Sequence, residues 1–273
     1  NNYWNDFGKK IVAALKPSID MIERIKKNIS ESFQQRLQQV NSIIASSLSR
    51  YFNYAQEFSK YINTIKFPSI SKERQEELNQ SFIHWGELGW TVMPDAPINI
   101  FYSCPDDIVA ANKIAMQYCR PKNIDNLFEY LRKENIRKAD LDEAIFCFKN
   151  HQYKACALVL SGIIDSKLIK KQPKPQKKGE KRPTGKTAVD NLKDKFEKQN
   201  DVEKMFFIPL VVYNLTAFLI SFFKYGNDFR SEPDIINRHY IAHGMNVRCV
   251  RKRDCIQLFL ALYNLIEWLK LFD

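Results

Sequence analysis

Apolar residues recur at intervals of three and four along most of this chain, the period of a buried helix face. Between Ser18 and Lys66 no proline or glycine interrupts Ile22, Ile25, Ile29, Phe33, Leu37, Val40, Ile44 and Leu48. That spacing predicts one long helix, or two with a bend near Ser46-Ser47. Pro17 suits its first turn, and residues 1–16 form a short amphipathic start. Gln34, Gln35, Gln38 and Gln39 lie between the apolar positions, so the face packs either within its own domain or against a partner helix. After Pro68, Ser71 is placed to cap a helix from Lys72 through Ile83. His84 to Pro94, with Trp85, Gly86, Gly89 and Trp90, reads as a packed irregular turn, and His84 as a structural residue. Pro94, Pro97 and Pro105 mark an extended connector with a short strand expected at Ile98–Tyr102.

The second half is patterned more densely. Asp106-Asp107 caps a helix to about Tyr118, and Pro121 ends it or opens the next, which carries Ile124, Leu127, Phe128, Leu131 and Ile136. Leu141, Ala144, Ile145 and Phe148 predict a third, and Tyr153 to Leu168 a fourth, close behind it across Asn150-His151-Gln152. From Met205 to Phe223 nineteen residues carry no charge, long enough for a membrane span. Pro209, Asn214, Thr216 and Ser221 favour instead a core helix enclosed by others. A last helix, Asp254 to Phe272, closes the bundle. The expected fold class is all-α, with a helical N-terminal region over 1–120 and a helical domain over 121–273.

Charge changes the picture at one place. The chain has 273 residues and a formal net charge of +11, which favours a polyanionic partner without naming it. Lys170, Lys171, Lys174, Lys177, Lys178, Lys181, Arg182 and Lys186 crowd one segment with Pro173, Pro175 and Pro183. Such a run buries no core and is expected to be a loop, suited to a phosphate backbone. It is no P-loop: five residues, not four, separate Gly179 from Gly185, and no strand precedes it. Arg248, Arg251, Lys252 and Arg253 add charge before the last helix. The six cysteines form no C-x2-C pair, and reduced thiols in the cytoplasm are expected. Cys147 and Cys156, flanking His151, sit among apolar residues and read as small core residues rather than metal ligands.

Candidate chemistry concentrates in Ile235-Ile236-Asn237-Arg238-His239-Tyr240-Ile241-Ala242-His243-Gly244, which holds two of the four histidines. On a helix Arg238, His239 and His243 share an arc of about 140°, leaving Ile236, Tyr240 and Ile241 to pack. An arginine clamps phosphate and a histidine exchanges a proton near neutrality, enough to cleave a phosphodiester without a metal. A zinc protease would want glutamate where Tyr240 stands, and no third ligand is evident.

The Arg-x4-His spacing, in its longer form Asn-Arg-His-x-Ile-x-His-Gly between two apolar segments, resembles the signature of the HEPN superfamily. Residues Ala144 to Asp165 look like the first helical hairpin of that domain. The resemblance covers residues 139–273 and nothing of the N-terminal half. It implies a metal-independent endoribonuclease needing no cofactor, of a bacterial toxin or antiviral-defence kind, leaving 2′,3′-cyclic phosphate and 5′-hydroxyl ends. It also implies a homodimer with a composite site, and an antitoxin or defence protein as a further partner. His243 is then the acid–base residue and Arg238 the stabiliser of phosphorane charge. His239 and Asn237 assist or fix the helix end, and Asp165 faces the site. Lys177, Lys178, Lys181, Arg182, Arg248 and Arg251 are the expected RNA contacts. The alternative is a non-catalytic HEPN-like module that binds RNA or protein; a membrane partner is not expected.

Overall fold

A computed structural model describes residues 72–134, 136–177, 179–198 and 207–272. The long helix expected at 18–66 and the N-terminal segment lie outside them. The described residues hold nine α-helices and no strand. These are α1 (Lys72–Glu87), α2 (Ile108–Ala115), α3 (Pro121–Lys133), α4 (Lys138–Lys149), α5 (Tyr153–Lys170), α6 (Gly185–Glu197), α7 (Phe207–Phe222), α8 (Arg238–His243) and α9 (Lys252–Lys270). The all-α class read from the periodicity is therefore the observed one.

The charge-free run of the sequence becomes α7, buried over most of its length and packed along α1. Among the described residues no helix is long and apolar enough to cross a membrane. Asn214 explains how a polar side chain is accommodated in the middle of α7. Its Nδ2 donates to the carbonyls of Phe82 and Trp90 at 2.8 and 3.0 Å, and its Oδ1 accepts from the Val92 amide at 2.9 Å. A buried amide satisfied on both sides costs little and fixes which way α1 and α7 meet. Asn264 on α9 does the same for Thr91 and Val92.

Two expectations are corrected. The helix beginning at Lys72 does not stop at Ile83 but runs through Trp85 and Gly86 to Glu87. Gly86 is there for close approach, because an added Cβ would lie 2.2 Å from the Asn214 carbonyl oxygen; the turn comes at Gly89, with φ +91°. Ile98–Tyr102 is a 3₁₀ helix and not a strand. No second strand exists among the described residues to pair with it, so its apolar residues bury Ile98 and Phe101 by turning instead. One continuous hydrophobic cluster runs from Leu78 and Trp85 through Phe128, Leu160 and Phe218 to Leu269.

Other expectations hold. Asp107 caps α2 by accepting from the Ala110 amide at 2.7 Å, and Pro121 opens α3. The α4–α5 hairpin is formed, and α9 packs on α5 and α3. Cys147 and Cys156 are buried small residues of that hairpin. At the far end of α9, Lys270 bonds Glu134 and Glu267 at 2.9 and 2.7 Å, while Tyr130 donates to Glu267. Burial pushes the Glu267 carboxyl above the usual range and Lys270 pulls it back.

A candidate acid–base and phosphate site on α8

Helix α8 is only six residues long, too short to stand without strong ends. Asn237 supplies the first. Its Oδ1 accepts from the amides of His239 and Tyr240 at 2.9 and 3.2 Å, the N-cap geometry. Its Nδ2 donates to the carbonyls of Ser221 and Lys224 at 3.2 and 2.9 Å, tying the cap to the end of α7. Gly244, at φ +70°, supplies the second: its own amide and that of Met245 return to the carbonyls of Ile241 and Tyr240. This is a Schellman stop, which favours glycine for its left-handed residue. Ile236, Tyr240 and Ile241 face inward and are buried, as the pattern requires.

The polar residues left outside are Arg238, His239 and His243. The two imidazoles sit with ring centroids 4.6 Å apart. His239 lies between two aromatic rings, Phe229 stacked at 4.7 Å with 8° between planes and Tyr225 at 4.4 Å. Partial burial by these rings, and then the neighbouring His243 and Arg238 charges, pull its pKa below the ordinary histidine value. The neutral imidazole is thereby favoured beyond what an ordinary histidine shows. Phe229 reaches its stacking position from a left-handed backbone, φ 56°, directly after Asp228 at φ 59°. A bulky side chain there is strained, and such strain concentrates at functional sites. Gly226 leaves room for His239, since an added Cβ would stand 2.6 Å from the His239 ring.

Arg238 turns the other way, toward α5. Its Nη2 donates to Asp165 Oδ2 at 3.0 Å. The carboxylate is 15 % exposed and the guanidinium 41 %, so the rest of the planar group still faces solvent. Asp165 thus orients the arginine and leaves it able to meet a phosphate. Lys170 lies five residues beyond Asp165, about 7 Å along the helix, and there the basic segment begins. Its other end is held where Gly185 opens α6 against Phe223, the residue after α7. Both ends of the lysine-rich loop therefore leave the fold beside α8.

The expected site residues are distributed as follows. Arg238 meets Asp165 of α5, and His239 meets His243, so the four residues form two adjoining pairs on the outward side of α8. Asn237 is 3 % exposed with both ends of its amide engaged, so it builds the helix and does not face a substrate. Lys177 and Lys181 are exposed and Arg182 half-buried on the loop; Lys178 lies outside the described residues. Arg248 is engaged elsewhere, bonded to Asp254 at 2.9 Å and near Glu232 at 3.8 Å. That pairing ties down the segment entering α9 and leaves less of its charge for a polyanion. Arg251, exposed, is the N-cap residue of α9. The pattern missed Tyr225 and Phe229, whose signal was only two aromatics in an aperiodic stretch beside the motif. Among the described residues no group of three metal-ligating side chains is assembled. No family model matches the sequence, no curated protein aligns with it and no solved structure matches its fold.

Proposed function

We propose that the chain is a metal-independent endoribonuclease of HEPN type. The observation that carries this is that one doubly capped helix turn carries both Arg238, oriented by Asp165 at 3.0 Å, and the His239–His243 pair. Such a cluster supplies what phosphodiester transesterification needs. A neutral imidazole takes the proton of the 2′-hydroxyl, that oxygen attacks phosphorus, and a protonated imidazole returns a proton to the leaving 5′-oxygen. Arg238 stabilises the negative charge that builds on the phosphorane oxygens. His243, exposed on the last turn of α8, is the principal acid–base residue.

The open setting of α8 supports a homodimer with a composite site. Met245 and Val247, just past the motif, are 48 % and 91 % exposed, and Leu158 and Gly162 leave an apolar strip on α5 beside Asp165. A second copy seated there covers this surface and brings a second histidine to the scissile bond. RNA is held by the loop lysines; a cytoplasmic toxin or antiviral-defence role, with an antitoxin or defence partner, belongs to the same reading. The alternative is a non-catalytic RNA- or protein-binding module, favoured by the ion pair that already occupies one edge of Arg238. The discriminating substrate is a DNA strand carrying one ribonucleotide. The nuclease cuts only 3′ of that ribose and leaves a 2′,3′-cyclic phosphate; an uncut strand that still binds favours the module.

A further inference from the structure

A cleft of about 580 Å³ opens on the face of α8 next to the histidines. It shares Tyr225, Gly226 and Tyr240 with the wall around His239, and its other side carries Glu87, Asp107 and Asp234. Resting on the ribonuclease reading, we propose that this cleft receives the base flanking the scissile phosphate and selects an unpaired guanine.

The chemistry of the lining singles out a base rather than a phosphate. In a chain with a net charge of +11, this cleft holds three carboxylates against one lysine, Lys224. A phosphate is repelled there, whereas a group rich in N–H donors is attracted. Guanine presents two such donors side by side, the ring N–H and the 2-amino group, and a single carboxylate accepts both. Uracil offers one N–H between two carbonyls, which a carboxylate repels. Asp107 has one oxygen committed to capping α2, and Glu87 lies 3.8 Å from His84. Asp234 is exposed and makes no hydrogen bond or ion pair among the described residues, so it is the acceptor.

Stacking and reach agree with this. Tyr225 is 76 % exposed, a free aromatic face of the kind that holds single-stranded bases. The same ring touches His239 at 4.4 Å, so a base seated on it brings its own phosphate to the imidazole pair.

The test uses 2′-O-methyl oligouridylate nonamers, which bind but are not cut, with guanosine, inosine, adenosine or uridine at the centre. Fluorescence anisotropy reads their affinity for the full chain. The guanosine strand is expected to bind on the order of tenfold more tightly than all-uridine, inosine to lose most of that gain with its amino group, and Asp234→Asn to bring the strands to near parity. Tyr225→Leu should weaken every strand. Equal binding of the four strands, a preference untouched by Asp234→Asn, or no binding at all overturns the proposal. A guanosine preference in a protein that cuts no RNA would sink the nuclease reading alone, and cutting without preference would sink only this one.

Discussion

His239 shows most plainly how neighbours set chemistry at the scale of a single residue. Its ring is wedged between Phe229 and Tyr225 with His243 and Arg238 close by, and each of these favours the neutral imidazole. The sign is direct: a histidine whose pKa is lowered stays deprotonated until the pH falls below the ordinary value of about 6.5. Imidazole NMR resonances should therefore show His239 titrating below that value. His243→Ala removes one repelling charge and Phe229→Ala removes part of the burial, so each should move the midpoint upward. An unshifted midpoint in both variants would contradict the description. Asn237 gives a second prediction at this scale. Asn237→Ala deletes the cap acceptor and leaves the carbonyls of Ser221 and Lys224 without their donor. It should cost about 2–3 kcal/mol in denaturant unfolding. Asn237→Asp, which keeps the acceptor, should recover part of the loss; a neutral alanine variant would mean that the cap does not hold α8.

At the scale of elements, the legible parts were those whose period matched one face. The α4–α5 hairpin and α9 declared themselves through apolar spacing, α7 through its charge-free run, and α8 through a motif whose inward residues are Ile236, Tyr240 and Ile241. Illegible elements had signals with two meanings. Gly86 reads as a turn in sequence, but it stands at a helix crossing where backbone meets backbone. Ile98-Asn-Ile-Phe-Tyr102 has strand-forming residues but no partner strand among those described. Helix α6 escaped notice because its buried face, Ala188, Val189, Leu192 and Phe196, follows a lysine-rich run that dominates the composition. Gly86→Ala tests the crossing. A methyl group 2.2 Å from the Asn214 oxygen forces α1 and α7 apart, and the substitution should destabilise the fold by about 3 kcal/mol. An unchanged thermal midpoint would show that the helices do not meet so closely.

For the whole molecule, charge and shape divide the work. Among the described residues the core is continuous from α1 to α9, and Ile236 and Ile241 anchor the α8 surface on that one packed body. The basic loop leaves that body on one side of α8 and the acidic cleft opens on another. On the proposed reading, a strand of RNA is attracted by its phosphates and sorted by a base. Sequence alone conveyed the first half of this, because clustered lysines are visible in any order. The cleft was hidden, because Glu87, Asp107, Tyr225 and Asp234 are far apart along the chain and meet only through the packing of α1, α2 and the segment after α7.

The most direct test of the central claim is cleavage of a mixed-sequence RNA in EDTA by the full chain, by Arg238→Ala and by His243→Ala. The wild type should cut and leave cyclic-phosphate ends, and each substitution should reduce the rate at least a hundredfold, the usual scale for losing an acid–base residue or a charge stabiliser. Cutting that persists undiminished in both variants would place the chemistry elsewhere, and failure of the wild type to cut would contradict the ribonuclease assignment.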